Sequence, residues 1–236
     1  MEDKSHYFLK SLGIYTPKEF PTELHDNVND YMAKIKDSHL DIWREFAGGW
    51  NSIVYRYLTC YQCNKQFTFC VSKYGGSPKQ PIRYFQEREL FIFYLSGISV
   101  IESFCYSFYA INSIYDSIIF PIDTDEQKRN INIKSLLSNL ERSKIKDENI
   151  TISIKNLSQD RNFFEWLKVR NILAHRESPP RRHYLGGEKH GSTEWAESIL
   201  INYETTTSRF DWLSKQLYRM ISDTNELIMK YNNLLI

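Results

Sequence analysis

The chain has 236 residues, with 30 Lys and Arg against 29 Asp and Glu, and 42% of its side chains are apolar. That composition suits a globular core and excludes a disordered tail, a collagen-like repeat and a disulfide-framed miniprotein. A net charge of +1 excludes a uniformly basic polyanion binder, so any nucleic-acid role must rest on a local patch.

Aromatic side chains make up 15% of the chain, against only 9 Gly and 7 Pro, and so few turn formers favour long helices over many short strands. The start of the chain, Met-Glu-Asp-Lys-Ser-His, has no basic stretch followed by an apolar one. It does not read as a secretory signal, and a cytoplasmic location is expected. The first amphipathic segment runs from Leu24 to Phe46. Val28, Tyr31, Met32, Ile35, His39, Ile42 and Phe46 recur there at steps of three and four, the spacing of one helical face. Pro21-Thr22 marks its start and Gly48-Gly49 its end, and His39 reads as a core histidine on its apolar face. Ile53 to Lys65 repeats the spacing, while Gln66 to Val71 is rich in strand-favouring residues. Tyr74 to Pro78 is a loop.

Three of the four cysteines, Cys60, Cys63 and Cys70, fall in this region, and Cys105 follows later. A tetrahedral zinc site needs a fourth ligand, and no histidine lies between His39 and His175. The cysteines therefore read as small buried hydrophobes, and no metal or cofactor is expected. Ile82 to Phe120 is the most apolar stretch, and between Leu90 and Tyr115 only Glu102 is charged. It is long enough to span a membrane. The mid-span carboxylate and the scattered Ser and Asn side chains argue instead for a central bundle helix.

Pro121 ends that helix, and residues 122–160 read as a polar connector with one short helix near Asn132–Leu140. A further helix starts near Ser158 or Asp160 and runs through Phe163, Trp166, Leu167 and Ile172 to His175. Ser178-Pro179-Pro180 stops it, and residues 177–192 form a loop. In the last helical stretch Phe210, Leu213, Leu217, Met220, Thr224, Leu227, Tyr231 and Leu234 form a heptad-like seam. It serves either one face of an antiparallel bundle or a dimer. The expected fold is all-α: an antiparallel helical bundle over residues 81–236, with additional N-terminal helices in residues 1–80 packed on it as one compact unit.

One segment carries chemistry: Lys168-Val-Arg170-Asn171-Ile-Leu-Ala174-His175-Arg176. An Arg-Asn-x-x-Ala-His sequence near the end of a helix in a small all-α chain resembles the motif of the HEPN superfamily, over about residues 84–235. Arg176 and His183 also satisfy the looser spacing of that motif, but they lie across Pro179-Pro180. The resemblance implies a helical bundle and, in many members, a metal-independent endoribonuclease of toxin or defence systems. It also implies a homodimer in which two motifs form one composite cleft, with an antitoxin or regulatory protein as a further partner.

The residue types suit that reaction. The unperturbed pKa of histidine is near neutrality, which suits His175 to moving protons, and Arg170 can grip phosphate oxygens in a fork that keeps its charge. Asn171 can orient the imidazole or a ribose hydroxyl. Along a helix Arg170 and His175 point roughly 140° apart, so one helix cannot close both around one phosphate without the arginine bending back. Residues 168–190 hold six Lys and Arg against two Glu, a net +4, while the rest of the chain sums to −3. Lys168, Arg176, Arg181, Arg182 and His183 are therefore the candidate RNA-backbone contacts. Glu102, costly to bury unpaired, is a candidate accessory residue facing Arg170. Two other readings stand beside the ribonuclease. One is a non-catalytic HEPN-like module that binds RNA or protein, and the other is a plain helical structural protein.

Overall fold

The computed structural model describes residues 6–175, 180–188, 190–195 and 199–232, with backbone only for His175, Tyr231 and Asn232. Among the described residues the chain is 71% helical, with eight α-helices and only small sheets. It forms two compact units, one of Met1–Tyr55, Val100–Asp160 and Ser214–Ile236, the other of Arg56–Ser99 and Arg161–Leu213. Three long helices contribute to both: α2 (Leu40–Tyr74), α3 (Gln80–Tyr115) and α8 (Glu204–Asn232).

The first unit opens with an antiparallel hairpin, β1 (His6–Leu9) and β2 (Ile14–Pro17). The Asp26 carboxylate on α1 (Thr22–Lys34) accepts from the amides of Lys10 and Ser11 at 3.0 and 3.1 Å and ties the hairpin down. A single 3-10 turn, Lys36–Ser38, separates α1 from α2. An aromatic run forms the core of this unit: Phe46 and His25 stack on Trp50 at 5.4 and 4.8 Å, and Phe104 follows at 6.2 Å. Two short helices, α4 (Asp125–Arg129) and α5 (Ile133–Arg142), begin with capping boxes from Thr124–Gln127 and Asn132–Ser135 that satisfy free amides of the first turn. In α6 (Asn149–Gln159), Ile150, Ile154 and Leu157 are buried one helical step apart.

The first helix of the expected pattern breaks at Ile35–His39, not at Gly48-Gly49, which lie inside α2. Gly49 marks a close approach: a Cβ there would sit 2.3 Å from the Ser107 hydroxyl and 3.3 Å from the Ser103 carbonyl of α3. His39, at the break, is only half-buried, and the core histidine is His25. Residues 66–71 continue α2, because Phe67, Cys70 and Val71 are buried at helical spacing. α3 ends at Tyr115, ahead of Pro121, and the Asp116 carboxylate accepts from the Ile119 amide in the turn that follows. By length and composition α3 could cross a membrane, yet 61% of its apolar window is buried inside the fold, as in a core helix. The connector holds three helices rather than one. Along α8 the seam from Phe210 to Leu227 is buried in the chain's own fold. Tyr231 as a side chain and Leu234 lie outside the described residues.

The second unit contains α7 (Arg161–His175) and a three-stranded antiparallel sheet, β3 (Arg181–His183), β4 (Thr193–Trp195) and β5 (Ile199–Leu200). Arg181 pairs with Trp195 and His183 with Thr193 across the first ladder. β3 lies within residues 177–192, which the sequence presents as a loop, and β4 and β5 lie beyond it, where the sequence presents helical segments. The strands are too short for an alternating pattern to show.

Candidate functional site: the carboxyl end of helix α7

α7 begins directly after Asp160, and Arg161 and Glu165 form an i,i+4 ion pair at 2.8 Å on its solvent side. Phe163, Trp166 and Val169 form its buried face. Trp166 is the anchor. Its ring stacks on Phe93 at 5.1 Å, its indole N–H donates to the Tyr94 carbonyl at 2.9 Å, and Trp212 lies 5.7 Å away. The ring covers Gly97 on α3, where a Cβ would fall 2.0 Å from the Trp166 ring. The motif begins one turn further on.

Arg170 is half-buried, while Lys168, Asn171 and Ala174 are exposed. His175 is the last residue of α7, and its side chain lies outside the described residues, as does Arg176. Beside α7 is a cleft of about 520 Å³, lined by Arg161, Glu165 and Lys168 of α7 and by Asn202, Ser208 and Arg209 among others. Lys168 thus belongs to a concave surface on which Arg161, Lys168 and Arg209 face the carboxylates of Glu165 and Glu204 as well as neutral hydrogen-bonding groups.

The β3–β4 hairpin divides the other candidates. Arg182 is exposed. Arg181 is not a surface cation: its side chain is fully buried, 3.0 Å from the Glu87 carboxylate. It donates to Gln86 Oε1 at 2.8 Å and to the Gly76 carbonyl at 3.0 Å. Desolvation lowers its pKa and the Glu87 charge offsets part of that, so Arg181 clamps the loop after α2 onto the sheet rather than meeting RNA. His183 is exposed, with Nδ1 engaged by the hydroxyls of Ser77 and, at 3.1 Å, Thr193. Those two hydroxyls lie 2.8 Å apart. Nε2 is therefore the nitrogen through which the His183 ring could meet a ligand. Thr193 is the cross-strand partner of His183, whereas Ser77 lies far from both in sequence, and no spacing rule points to it.

Glu102 is exposed on α3, so the burial cost that singled it out does not arise. It belongs to the first unit, whereas Arg170, Asn171, Lys168, Arg182 and His183 all belong to the second. The second unit holds 14 Lys and Arg against 9 Asp and Glu, a net +5, which leaves 16 against 20, or −4, for the first. The sequence shows only the part of this asymmetry that lies in residues 168–190. Outside that segment Arg56, Lys65, Lys73 and Lys79 on or beside α2 add four positive charges, the unit's part of α3 sums to zero, and residues 191–213 take three away.

All four cysteines are buried as free thiols. Burial raises the pKa of Cys63 and of Cys105 to about 12 and that of Cys60 well above its ordinary value. They stay protonated at neutral pH. Among the described residues, no cluster of His, Cys, Asp and Glu could hold a metal ion. No protein-family model, no curated protein and no solved structure matches the chain.

Proposed function

We propose that the chain is a HEPN-type, metal-independent endoribonuclease that acts as a homodimer in the cytoplasm. The observation that carries this reading is the presentation of the motif. Arg170 and Asn171 sit one turn beyond a rigid tryptophan anchor without being consumed by the core, in the more basic of the two units.

In this reading the attacking group is the RNA's own 2′-OH. A histidine base takes its proton, the 2′-oxygen bonds to phosphorus, and the bond from phosphorus to the 5′-oxygen breaks. A second proton donor gives the leaving 5′-oxygen its hydrogen, so the products carry a 2′,3′-cyclic phosphate and a 5′-hydroxyl. A dimer offers two His175 side chains, and one of them suffices as base where water supplies the second proton. Arg170 offsets the charge that builds on the pentavalent phosphate, and Asn171 orients the ribose. Lys168, Arg176, Arg182 and His183 hold the flanking backbone. An activity of this kind requires restraint, which a regulatory protein of antitoxin type would supply.

The test is cleavage of a mixed RNA substrate in EDTA by wild type, Arg170→Ala and His175→Ala, with analysis of the product ends. Wild type should leave 2′,3′-cyclic phosphates, and each variant should lose a factor of about 10² to 10⁴ in rate. No cleavage by wild type under any condition would reject the enzyme, and RNA binding weakened by Arg170→Ala would then mark a binding module.

A further inference from the structure

Between Arg56 and Tyr74, the part of α2 in the second unit, the sequence contains three cations and no acidic side chain. Its outer ridge has an unusual order. Tyr61, Lys65, Phe69 and Lys73 follow one another at steps of four, the row that climbs one side of a helix. The Lys65 ammonium lies 5.3 Å from the Tyr61 ring centre, and the Lys73 ammonium lies 5.8 Å from Phe69 and 5.2 Å from Tyr74. Phe69 is 62% exposed and Tyr74 is 43% exposed. The first part of α3, in the same unit, adds exposed Tyr84 and Phe91, while its Arg88, 4.6 Å over Phe85, is ion-paired with Glu89 and adds no free charge.

A phenylalanine with most of its surface in water contributes little to the core, and two flanking lysines give it company that a folding role does not require. Alternating rings and ammonium groups are what an unpaired nucleic-acid strand can use. A base has a face to stack on a ring, and each phosphate between bases needs a cation. A duplex offers phosphates but keeps its bases covered. An acidic peptide would use the lysines and leave Phe69 idle.

We propose that this ridge of α2 is a stacking track for single-stranded RNA, with Phe69 as its central platform and Lys65 and Lys73 as phosphate contacts. The inference rests on the ribonuclease reading for its substrate class, and its test reads binding alone. Binding of fluorescein-labelled oligouridine is measured by anisotropy with the His175→Ala protein, in which cleavage should be slowed, between about 50 and 200 mM salt. Adding Phe69→Ala should weaken binding roughly 5- to 150-fold and leave the salt slope unchanged. Adding Lys65→Gln and Lys73→Gln together should instead reduce the slope of log K against log salt by about 1.4.

Binding by Phe69→Ala within about twofold of its parent, with an unchanged slope for the double lysine variant, would overturn the track. So would displacement of the RNA by polyglutamate at the same charge concentration, since the surface would then be merely cationic. The two proposals fail separately. Wild-type cleavage with normal binding by Phe69→Ala removes the track and keeps the ribonuclease. Binding that depends on Phe69, without cleavage by wild type, does the reverse.

Discussion

The ring of His25 stacks on Trp50 at 4.8 Å, with Nε2 placed 3.2 Å from the Trp50 carbonyl oxygen. A carbonyl only accepts, so the neutral ring carries its proton on Nε2 and donates it there. The return bond runs from the Trp50 indole N–H to the His25 carbonyl, also at 3.2 Å. Nδ1 is buried with no hydrogen-bond partner among the described residues, so a second proton would bring an unsolvated charge into the core. Desolvation therefore lowers the pKa from 6.5 to about 4, with the Trp50 hydrogen bond and the Asp26 charge offsetting part of the shift. The unfolded chain takes up this proton at higher pH than the folded one does. The stability associated with neutral His25 is thus complete above pH 6.5 and is lost as pH falls towards 4, by about 3 kcal/mol in all. Urea unfolding of wild type and His25→Phe should show it: the difference in stability between them shifts in favour of the variant as pH falls from 7 to 4.5. A difference independent of pH would mean that the folded ring ionises normally.

The position of the motif depends on α7, and α7 depends on one pair of residues. Gly97 gives Trp166 the space it needs, and a methyl group at 2.0 Å from a rigid ring cannot be absorbed by a small rotation. Gly97→Ala should cost about 1–3 kcal/mol in urea unfolding and displace the motif, lowering the cleavage rate more than the fold is weakened at working temperature. In a Trp166→Leu background the same change should cost less, a coupling of at least about 0.5 kcal/mol. Equal costs in the two backgrounds would show that the ring is not what holds the helices apart. Contacts of this kind explain what the sequence makes legible. α7, α5 and the seam of α8 are readable because their apolar residues recur within a single element. The pair Gly48-Gly49 looks like a stop until Ser103 and Ser107 of α3 appear beside it. α6 escapes notice because its buried face includes Thr151 and Ser153, whose hydroxyls dilute the apolar signal. The site divides in the same way. The Arg170–His175 motif is linear and therefore visible, whereas the Ser77–His183–Thr193 contacts join distant segments. Glu102 and Arg181 show the limit most directly. A carboxylate on the most apolar helix is exposed, and an arginine in a string of polar residues is buried, because tertiary packing, not local composition, decides exposure.

At the scale of the whole molecule, charge and assembly act together. The unit holding the motif carries +5 and the other −4, so the positive charge, which a polyanion such as the proposed RNA would meet, is concentrated on one of them even though the chain is nearly neutral. In the proposed reading Arg170 and His175, roughly 140° apart on one helix, use a second copy to complete the cleft. A composite site has a consequence that a monomeric site lacks. Arg170→Ala and His175→Ala, each inactive alone, should regain activity when mixed after brief unfolding and refolding. Random pairing then makes about half of the dimers mixed, and each mixed dimer keeps one arginine and one histidine in its cleft. Regained activity should depend on the square of protein concentration below the dimer dissociation constant and vanish when either variant is diluted alone. A mixture as inactive as its components, at concentrations where light scattering shows dimers, would mean that each motif needs its own arginine and histidine. The angular argument from the helix would then be wrong for this chain.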